Sequence, residues 1–104
     1  MKKETGLVIK AIRLRLGYKQ DYIAQKINIS PSLLGHIENG RTDLDIRRLY
    51  QLAKVFGVLP RNLLELVIEI YETECIAGLE GGVKYITPPA TREQEHKSKA
   101  LTTP

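Results

Sequence analysis

The side chains best suited to chemistry in this sequence lie between Gln20 and Gly40, in the segment QDYIAQKINISPSLLGHIENG. Ser32 and His36 can each donate and accept hydrogen bonds, and both fall outside the apolar positions of their segment, so they face outward. No nucleophile stands at a recognisable spacing from His36, and the sequence has no glycine-rich phosphate loop and no pair of His or Cys residues at metal-ligand spacing. These residues therefore indicate binding of a partner through hydrogen bonds, and we do not expect an enzyme.

Two short amphipathic helices separated by a tight break are needed to position these side chains. Ile23 and Ile27 are four residues apart and share one helical face, whereas Leu34 and Ile37 are three apart and share another. The break falls at Asn28, which tolerates the left-handed backbone conformation better than most residues. Neither apolar face can be buried within its own helix, so the helices must pack against each other and against flanking helices.

The second of these helices is predicted to run from Pro31 to Glu38. Ser30 suits its N-cap position because the hydroxyl accepts an otherwise unpaired backbone N–H, and proline is favoured at the first helical position because it has no N–H. Ala24 is predicted where the two helices cross, since a larger side chain would hold the backbones apart. Four residues remain off the apolar face and point outward: Pro31, Ser32, Gly35 and His36.

The motif extends on both sides of this unit with fixed spacing. Within the unit the series is Gln20, Ala24, Ile27, Ile29, Ser30, Leu34, Ile37 and Glu38-Asn39-Gly40; Ile9, Ile12 and Arg13 precede it, and Leu49, Leu52, Ala53, Lys54, Gly57 and Val58 follow it. Together these residues resemble the helix-turn-helix of the phage repressor and Cro class, also called the XRE family, over residues 6 to 66. The resemblance implies an all-α fold, a five-helix DNA-binding domain of the lambda repressor type.

The resemblance also implies a function. It is that of a sequence-specific, DNA-binding transcriptional regulator, expected to be a repressor that binds a palindromic operator as a homodimer. The third helix would enter the major groove of double-stranded DNA and read base edges through its amino-terminal residues. No cofactor, small-molecule ligand or catalytic residue belongs to this interpretation. An alternative keeps the fold but uses it to bind a protein, for instance as the antitoxin of a toxin–antitoxin pair.

Individual roles follow from the same resemblance. The residues expected to contact bases are Pro31, Ser32, Leu33, Gly35 and His36, and those expected to contact phosphates are Lys19, Gln20, Asn39 and Arg41. Arg13 and Glu38 are expected to form a structural ion pair between the first and third helices. Ordinary roles stay open for some of them: Gln20 could simply cap its helix, and His36 could be a solvated side chain. Arg13 and Glu38 could likewise be unrelated surface charges.

The charge of the chain is distributed unevenly. Residues 1–64 contain twelve Lys and Arg against five Asp and Glu, a net charge of +7, whereas residues 65–104 contain four against seven, a net charge of −3. A merely solvated surface is the simplest explanation of a charge of this size. Because the basic part coincides with the motif, contact with DNA phosphate is the favoured interpretation.

The length of 104 residues suits one small domain with an appendage. No apolar run approaches the roughly 18 residues needed to cross a bilayer, and charges interrupt the first residues too often for a signal peptide, so we expect a cytoplasmic protein without a membrane partner. Cys75 is the only cysteine, which excludes an internal disulfide and a Cys-based zinc site. His96 has no second His or Cys nearby, so we expect no metal there.

Further helices are predicted on both sides of the motif. The first is expected over residues 6–16, with Thr5 as its candidate cap and Gly17 as its end. The fourth is expected to have Asp45 as its N-cap and an inner face formed by Ile46, Leu49, Leu52, Ala53 and Phe56. Pro60 is expected to open the fifth helix.

Three regions are expected along the chain. Residues 1–66 would form the DNA-binding domain, residues 67–87 a C-terminal extension, and residues 88–104 a polar, disordered tail. The surplus of Ile, Val and Leu in the extension exceeds what a small DNA-binding head must bury. We therefore expect the extension to be a self-association element.

The secondary structure of the extension is less clearly encoded. Residues 67–78 are predicted to continue the fifth helix, although Ile68 and Ile70 alternate with Glu69 as in a strand. The glycines at positions 78, 81 and 82 are expected to break the helix. Residues 83–87 are expected to form a short strand or an extended arm.

Overall fold

Helices are the regular secondary structure of the part of the chain that the structure describes. The computed structural model describes residues 1–74 and 76–88, and within them it contains six α-helices, one 3₁₀ turn and no strand; Cys75 and residues 89–104, with the predicted disordered tail and His96, lie outside this part. The elements are α1 (Lys2–Leu16), α2 (Gln20–Lys26), α3 (Pro31–Glu38), α4 (Ile46–Phe56), α5 (Pro60–Thr73), the 3₁₀ turn (Ile76–Gly78) and α6 (Leu79–Ile86). The predicted all-α, repressor-like fold with a C-terminal extension is confirmed. None of these helices is both long enough and apolar enough to cross a membrane.

Short local signals set the boundaries of the central helices. The Ser30 hydroxyl accepts a hydrogen bond from the backbone N–H of Leu33 at 3.0 Å, and the Asp45 carboxylate accepts one from the backbone N–H of Arg48 at 2.7 Å. Asn28 adopts a φ of 62° in the turn between α2 and α3, a conformation that asparagine tolerates. Both predicted N-caps and the bounds of α3 are confirmed.

Helix α1 begins earlier than the sequence indicates. It starts at Lys2, with Met1 at its N-cap. Thr5 is not the cap, because its hydroxyl donates to the Met1 carbonyl oxygen at 2.9 Å within the first turn. Gly17 ends the helix in the left-handed conformation, with a φ of 81°, as predicted.

One apolar core joins α1 to α6. Six large side chains in it have no exposed surface: Ile9, Ile12, Ile23, Leu34, Leu52 and Leu63. Ala24 is also fully buried, as expected for a small residue where α2 packs against its neighbours. Ile46, by contrast, is 70 % exposed and does not belong to the inner face of α4. It is the first residue of the helix and lies at the edge of the buried stripe that contains Leu52 and Phe56.

The extension is helical, and Gly81 and Gly82 do not break it, whereas Gly78 lies between two helices as the N-cap of α6. Helix α5 continues to Thr73, so the predicted continuation is correct for residues 67–73 and the strand is wrong. The continuation to residue 78 is wrong, because Ile76–Gly78 form a 3₁₀ turn instead. Helix α6 spans Leu79–Ile86, which overturns both the predicted break at positions 81 and 82 and the predicted strand or arm at residues 83–87. The cause is a close helix contact, because a Cβ added to Gly82 would lie 2.5 Å from Cδ1 of Leu66. Glycine therefore lets α6 approach α5.

Helix α6 folds back onto α1 and α5. Val83 is buried in the core. Arg15 Nε donates to Thr87 Oγ1 at 3.0 Å, and Thr87 Oγ1 donates to the Val83 carbonyl oxygen at 2.7 Å. Val67 and Ile70 are likewise buried within one chain. Much of the apolar surplus that predicted a self-association surface is therefore packed inside the protein.

Candidate nucleic-acid interface

Helix α3 has an exposed polar side next to a buried apolar side. Leu34 and Ile37 are buried and fix the helix to the core. The residues expected to contact bases form the remaining surface of the helix. Pro31, Ser32 and His36 are exposed, and Leu33 and Gly35 are half-buried. Within the described residues, neither the Ser32 hydroxyl nor the His36 imidazole is hydrogen-bonded to another protein group. Both side chains are therefore available to a partner.

A buried ion pair anchors the carboxyl-terminal end of α3 to α1. Arg13 Nε donates to Glu38 Oε2 at 2.7 Å, and Arg13 Nη2 donates to Glu38 Oε1 at 3.0 Å. Arg13 is only 7 % exposed and Glu38 only 4 %, so they are not unrelated surface charges. Arg13 Nη1 also donates to the Tyr18 carbonyl oxygen at 2.8 Å. The guanidinium thus joins α1, the α1–α2 loop and α3 through charge-assisted hydrogen bonds.

Gln20 belongs to the same network, which sequence spacing does not reveal. Its Nε2 donates to Glu38 Oε1 at 2.9 Å, and its side chain lies over Gly35, where an added Cβ would be 3.8 Å from Nε2. Gln20 and Glu38 lie on different helices, 18 positions apart, so neither periodicity nor a local motif signals the contact. Gln20 is not the N-cap of α2, because Lys19 occupies that position. Its amide keeps a second N–H that can donate to a partner.

The other residues expected to contact phosphates lie at helix ends beside α3. Lys19 is exposed before α2, and Asn39 and Arg41 are exposed in the loop after α3. Gly40 in this loop has a φ of 76°, and a Cβ added there would lie 3.0 Å from the Cα of Lys3. Within residues 1–74 and 76–88, no carboxylate forms an ion pair with Lys19 or Arg41. Two exposed cations are therefore free to bind an anion.

An aromatic pair at the start of α2 was not anticipated from the sequence. The rings of Tyr18 and Tyr22 stack with their centroids 5.2 Å apart, and Lys26 Nζ lies 5.3 Å from the centroid of the Tyr22 ring. Burial raises the pKa of Tyr18 above its ordinary value, with a smaller contribution from Tyr22, so the Tyr18 hydroxyl is neutral at physiological pH. The pair packs the α1–α2 loop against α2 and orients an exposed lysine.

Helix α1 supports α3 through a backbone contact at Gly6. A Cβ added to Gly6 would lie 2.6 Å from the Glu38 carbonyl oxygen and closer still to the Ile37 carbonyl oxygen. Both atoms belong to the backbone and cannot rotate away as a side chain would, so only glycine permits this approach. The end of α3 is thus held by the backbone of α1 as well as by Arg13. Nothing in the spacing of the sequence singles out Gly6.

Comparison with known protein families agrees with this architecture. A family model described as Helix-turn-helix matches residues 9–63, from α1 into the first turn of α5. No curated protein and no solved structure gives a significant match to the chain. The matched residues contain the exposed side of α3 and the buried network that holds it. The chain therefore belongs to the XRE class of the helix-turn-helix family, whose members are regulators that bind double-stranded DNA.

Proposed function

We propose that the protein is a transcriptional repressor that recognises a palindromic operator as a homodimer, with α3 of each copy in the major groove. The observation that carries the proposal is the exposed side of α3, centred on Ser32 and His36, on a helix fixed by the buried network of Arg13, Gln20 and Glu38. A rigidly held helix with free hydrogen-bonding groups suits the recognition of base edges. Such a regulator is expected to work in the cytoplasm.

We assign the base contacts to the outer side of α3. The Ser32 hydroxyl donates and accepts, so it is compatible with several base edges. His36 can donate to guanine, or accept from adenine or cytosine, depending on its tautomer. Leu33 can touch the methyl group of thymine. Pro31 and Gly35 offer no side-chain hydrogen bond and set how closely the helix approaches the bases.

We assign the phosphate contacts to the residues around α3. Lys19 and Arg41 are exposed cations on the two flanks of the helix, and Asn39 adds an amide beside Arg41. Gln20 can donate its second amide N–H to a phosphate while the first stays bonded to Glu38. A phosphate bound in this way would fix the register of α3 on the duplex, because phosphate contacts position a protein and base contacts specify the sequence.

A homodimer is required because one copy offers few contacts. Binding to DNA without sequence recognition has a Kd of roughly 10⁻⁴–10⁻⁶ M at physiological salt. Two copies of α3 must be about 34 Å apart to enter successive major grooves on one face of the duplex. The described residues extend over 36 × 28 × 19 Å. Two copies placed side by side therefore match the required spacing without an intervening domain.

A stripe on the outer side of α5 supplies a surface for this pairing. The stripe consists of Arg61, Leu64, Ile68 and Glu72, which are spaced by three or four residues and so lie on one side of the helix. Leu64 and Ile68 are half-buried, whereas both charged residues are exposed. In an antiparallel pair of α5 helices, Leu64 packs against Ile68 of the partner subunit. Arg61 then meets Glu72 of the partner subunit, and the twofold axis repeats both contacts.

Ile68→Glu is expected to separate the two subunits, because it introduces two carboxylates into the apolar centre of the pairing. Sedimentation equilibrium should then report a monomer. Operator affinity should fall towards the nonspecific range of roughly 10⁻⁴–10⁻⁶ M. Glu69→Gln changes the next, exposed residue of the same helix and is the matched control that should stay dimeric. Arg61→Glu should weaken the dimer and Glu72→Arg in the same chain should restore it, whereas a dimer that tolerates Ile68→Glu would contradict this surface.

Selection of bound fragments from random DNA tests the proposed function directly. We expect an imperfect palindrome whose half-sites are one helical turn apart. Affinity for the selected duplex should fall as salt rises, with log K decreasing by about 0.9 per phosphate contact for each unit of log[salt]. A selection that enriches no sequence would overturn the proposal. It would favour a helix-turn-helix used to bind a protein, whose apolar interface would respond little to salt.

Two sets of alanine variants should separate the assigned roles. Gln20→Ala and Arg41→Ala are expected to weaken binding to all sequences alike. Ser32→Ala and His36→Ala are expected to change the preference among sequences, by about 1–3 kcal/mol at the base pair that loses its contact. Fluorescence anisotropy with the selected duplex and with duplexes altered at one base pair measures both effects. Lys84→Ala, at an exposed cation on α6, is the control that should bind like the wild type, and equal behaviour of the two sets would contradict the division.

A further inference from the structure

An apolar groove runs along the outer side of α1. We name it the α1 groove and define it by Leu7 and Leu14 of α1 together with Ile76 and Leu79 of the extension. It consists of two clefts that adjoin at Ile76. Leu14 is 58 % exposed and Ile76 is 50 % exposed. Apolar side chains gathered on an open surface in this way are typical of a protein contact.

The apolar side chains of the α1 groove lie apart from the surface assigned to DNA, whereas Lys3 at its edge lies beside Gly40 in the loop after α3. Helix α1 contacts α3 through Gly6 and Arg13. Leu7 and Leu14 are seven residues apart and therefore share a different side of the same helix. Of the four residues of the α5 stripe, Glu72 also lines one of the clefts, whereas Leu64 and Ile68, which form the apolar centre of the stripe, line neither. Occupying the groove would leave the outer side of α3 and the apolar centre of the α5 stripe accessible.

Opposite charges border the two sides of the α1 groove. Lys3 and Lys10 are exposed on α1, with the same seven-residue spacing as the two leucines. Glu74 and Glu80 are exposed on the side formed by the extension. Within the described residues, none of these four charges has an ion-pair partner. The groove therefore has one basic edge and one acidic edge.

Glu4 and Arg15 of α1 also line the clefts, and each has a partner within the protein. Glu4 pairs with the amino terminus at 3.6 Å, and Arg15 donates to Thr87. The extension as a whole is acidic, since residues 65–88 contain five glutamates and one lysine. DNA would be repelled from such a surface. The occupant must instead present apolar side chains together with charges of both signs.

We propose that the α1 groove is a second self-association surface, at which two homodimers join into a tetramer; this rests on the homodimer of the proposed function. A surface with one basic and one acidic edge is complementary to itself. When a twofold axis passes through the centre of the groove, the basic edge of each subunit, with Lys3 and Lys10, faces the acidic edge of the partner subunit. Leu14 and Ile76 of both copies then exclude water from the centre.

The tetramer closes when the twofold axis of the α1 groove contact intersects the axis of the α5 pairing at a right angle. Dihedral symmetry lets both grooves of one homodimer pair with both grooves of another, so no groove is left to extend the assembly. Each homodimer keeps its own α3 pair for DNA. The tetramer can therefore hold two operators, and binding at the first raises the effective concentration at the second.

Sedimentation velocity of the full chain over the micromolar range tests the proposal. We expect the mass to rise with concentration from that of two chains to that of four, each chain being 11.8 kDa. Leu14→Glu should keep the homodimer and its affinity for a single operator, while the association constant between homodimers falls at least about tenfold. Leu14→Ala, which removes the side chain without adding charge, should give a smaller loss. A wild-type chain that never exceeds the mass of the homodimer, or a tetramer that survives Leu14→Glu, would overturn the proposal.

Exchanging the charges at the edges gives an independent test. Lys10→Glu should weaken the tetramer, and adding Glu80→Lys to the same chain should restore it, because the exchange recreates both edges. Failure of the second change to restore the tetramer would overturn the pairing of the edges. The outcomes also distinguish this proposal from the proposed function: a homodimer without a tetramer overturns only the α1 groove contact, whereas a wild-type chain that stays monomeric overturns the homodimer itself.

Discussion

Replacing Glu38 with alanine is expected to lower the free energy of unfolding by about 3–5 kcal/mol. The change leaves the buried Arg13 guanidinium without the carboxylate that accepts two of its hydrogen bonds. It also removes the acceptor of the Gln20 amide. An unpaired buried cation is what makes breaking such a pair costly. Urea unfolding followed by circular dichroism measures the change, and the Tm should fall by roughly 12 °C or more.

Two further variants separate the effect of burial from the loss of any ion pair. Arg48→Ala removes the exposed pair that Arg48 forms with Asp45 at 3.2 Å, keeps the Asp45 cap, and is expected to change stability by about 1 kcal/mol or less. Arg13→Met combined with Glu38→Leu removes both buried charges, and we expect it to recover most of the lost stability. If Glu38→Ala proved no more harmful than Arg48→Ala, the pair would be solvated and could not hold α3.

The helix boundaries that the sequence predicts correctly are those set by neighbouring residues. The caps at Ser30 and Asp45 each act on a backbone N–H three positions later, so their effect can be read locally. The outer side of α3 is predictable for a similar reason, since the buried positions Leu34 and Ile37 fix which residues point away from the core. Local chemistry and helical periodicity therefore suffice for the residues offered to DNA.

Contacts between helices were predictable only where the family resemblance supplied the pair. Arg13 and Glu38 are 25 positions apart, and their pairing was expected because other members of the family carry such a pair. The contact of Gln20 with Glu38 has no such precedent in the motif, so only the packing of α2 against α3 reveals it. Ile46 shows an error of the opposite kind, in which a contact was predicted that the structure lacks. Its helical spacing predicts burial, but the neighbouring helices leave it exposed.

Helix α6 was missed because its local sequence disfavours a helix. Glycine costs about 0.5–1 kcal/mol relative to alanine in a helix interior, and two adjacent glycines predict a break. In the folded protein, Gly82 allows α6 to approach Leu66, and Val83 is buried in the core. Packing of this kind can outweigh intrinsic propensity, since most helical stability in proteins comes from tertiary contacts. No pattern within residues 79–86 indicates that the contact exists.

Gly6→Ala is expected to destabilise the protein by at least about 2 kcal/mol, because it overpacks a contact between two backbones. The added Cβ would lie 2.6 Å from the Glu38 carbonyl oxygen, so α1 and the end of α3 must move apart. Such a movement stretches the hydrogen bonds of Arg13 to Glu38, which are 2.7 and 3.0 Å long. Thermal unfolding measures the loss of stability. Affinity for the selected operator, measured below the unfolding temperature, should also fall because α3 is displaced.

Gly81→Ala is the matched control for this substitution. It makes the same change within a helix, but nothing lies within 4 Å of the added Cβ, so we expect a gain of about 0.5–1 kcal/mol from the higher helix propensity of alanine. A loss of stability at Gly6 together with a gain at Gly81 would separate the effect of the steric clash from that of helix propensity. A Gly6→Ala variant as stable as Gly81→Ala, and with unchanged operator affinity, would mean that α1 does not hold α3. The rigid presentation of Ser32 and His36 would then need another cause.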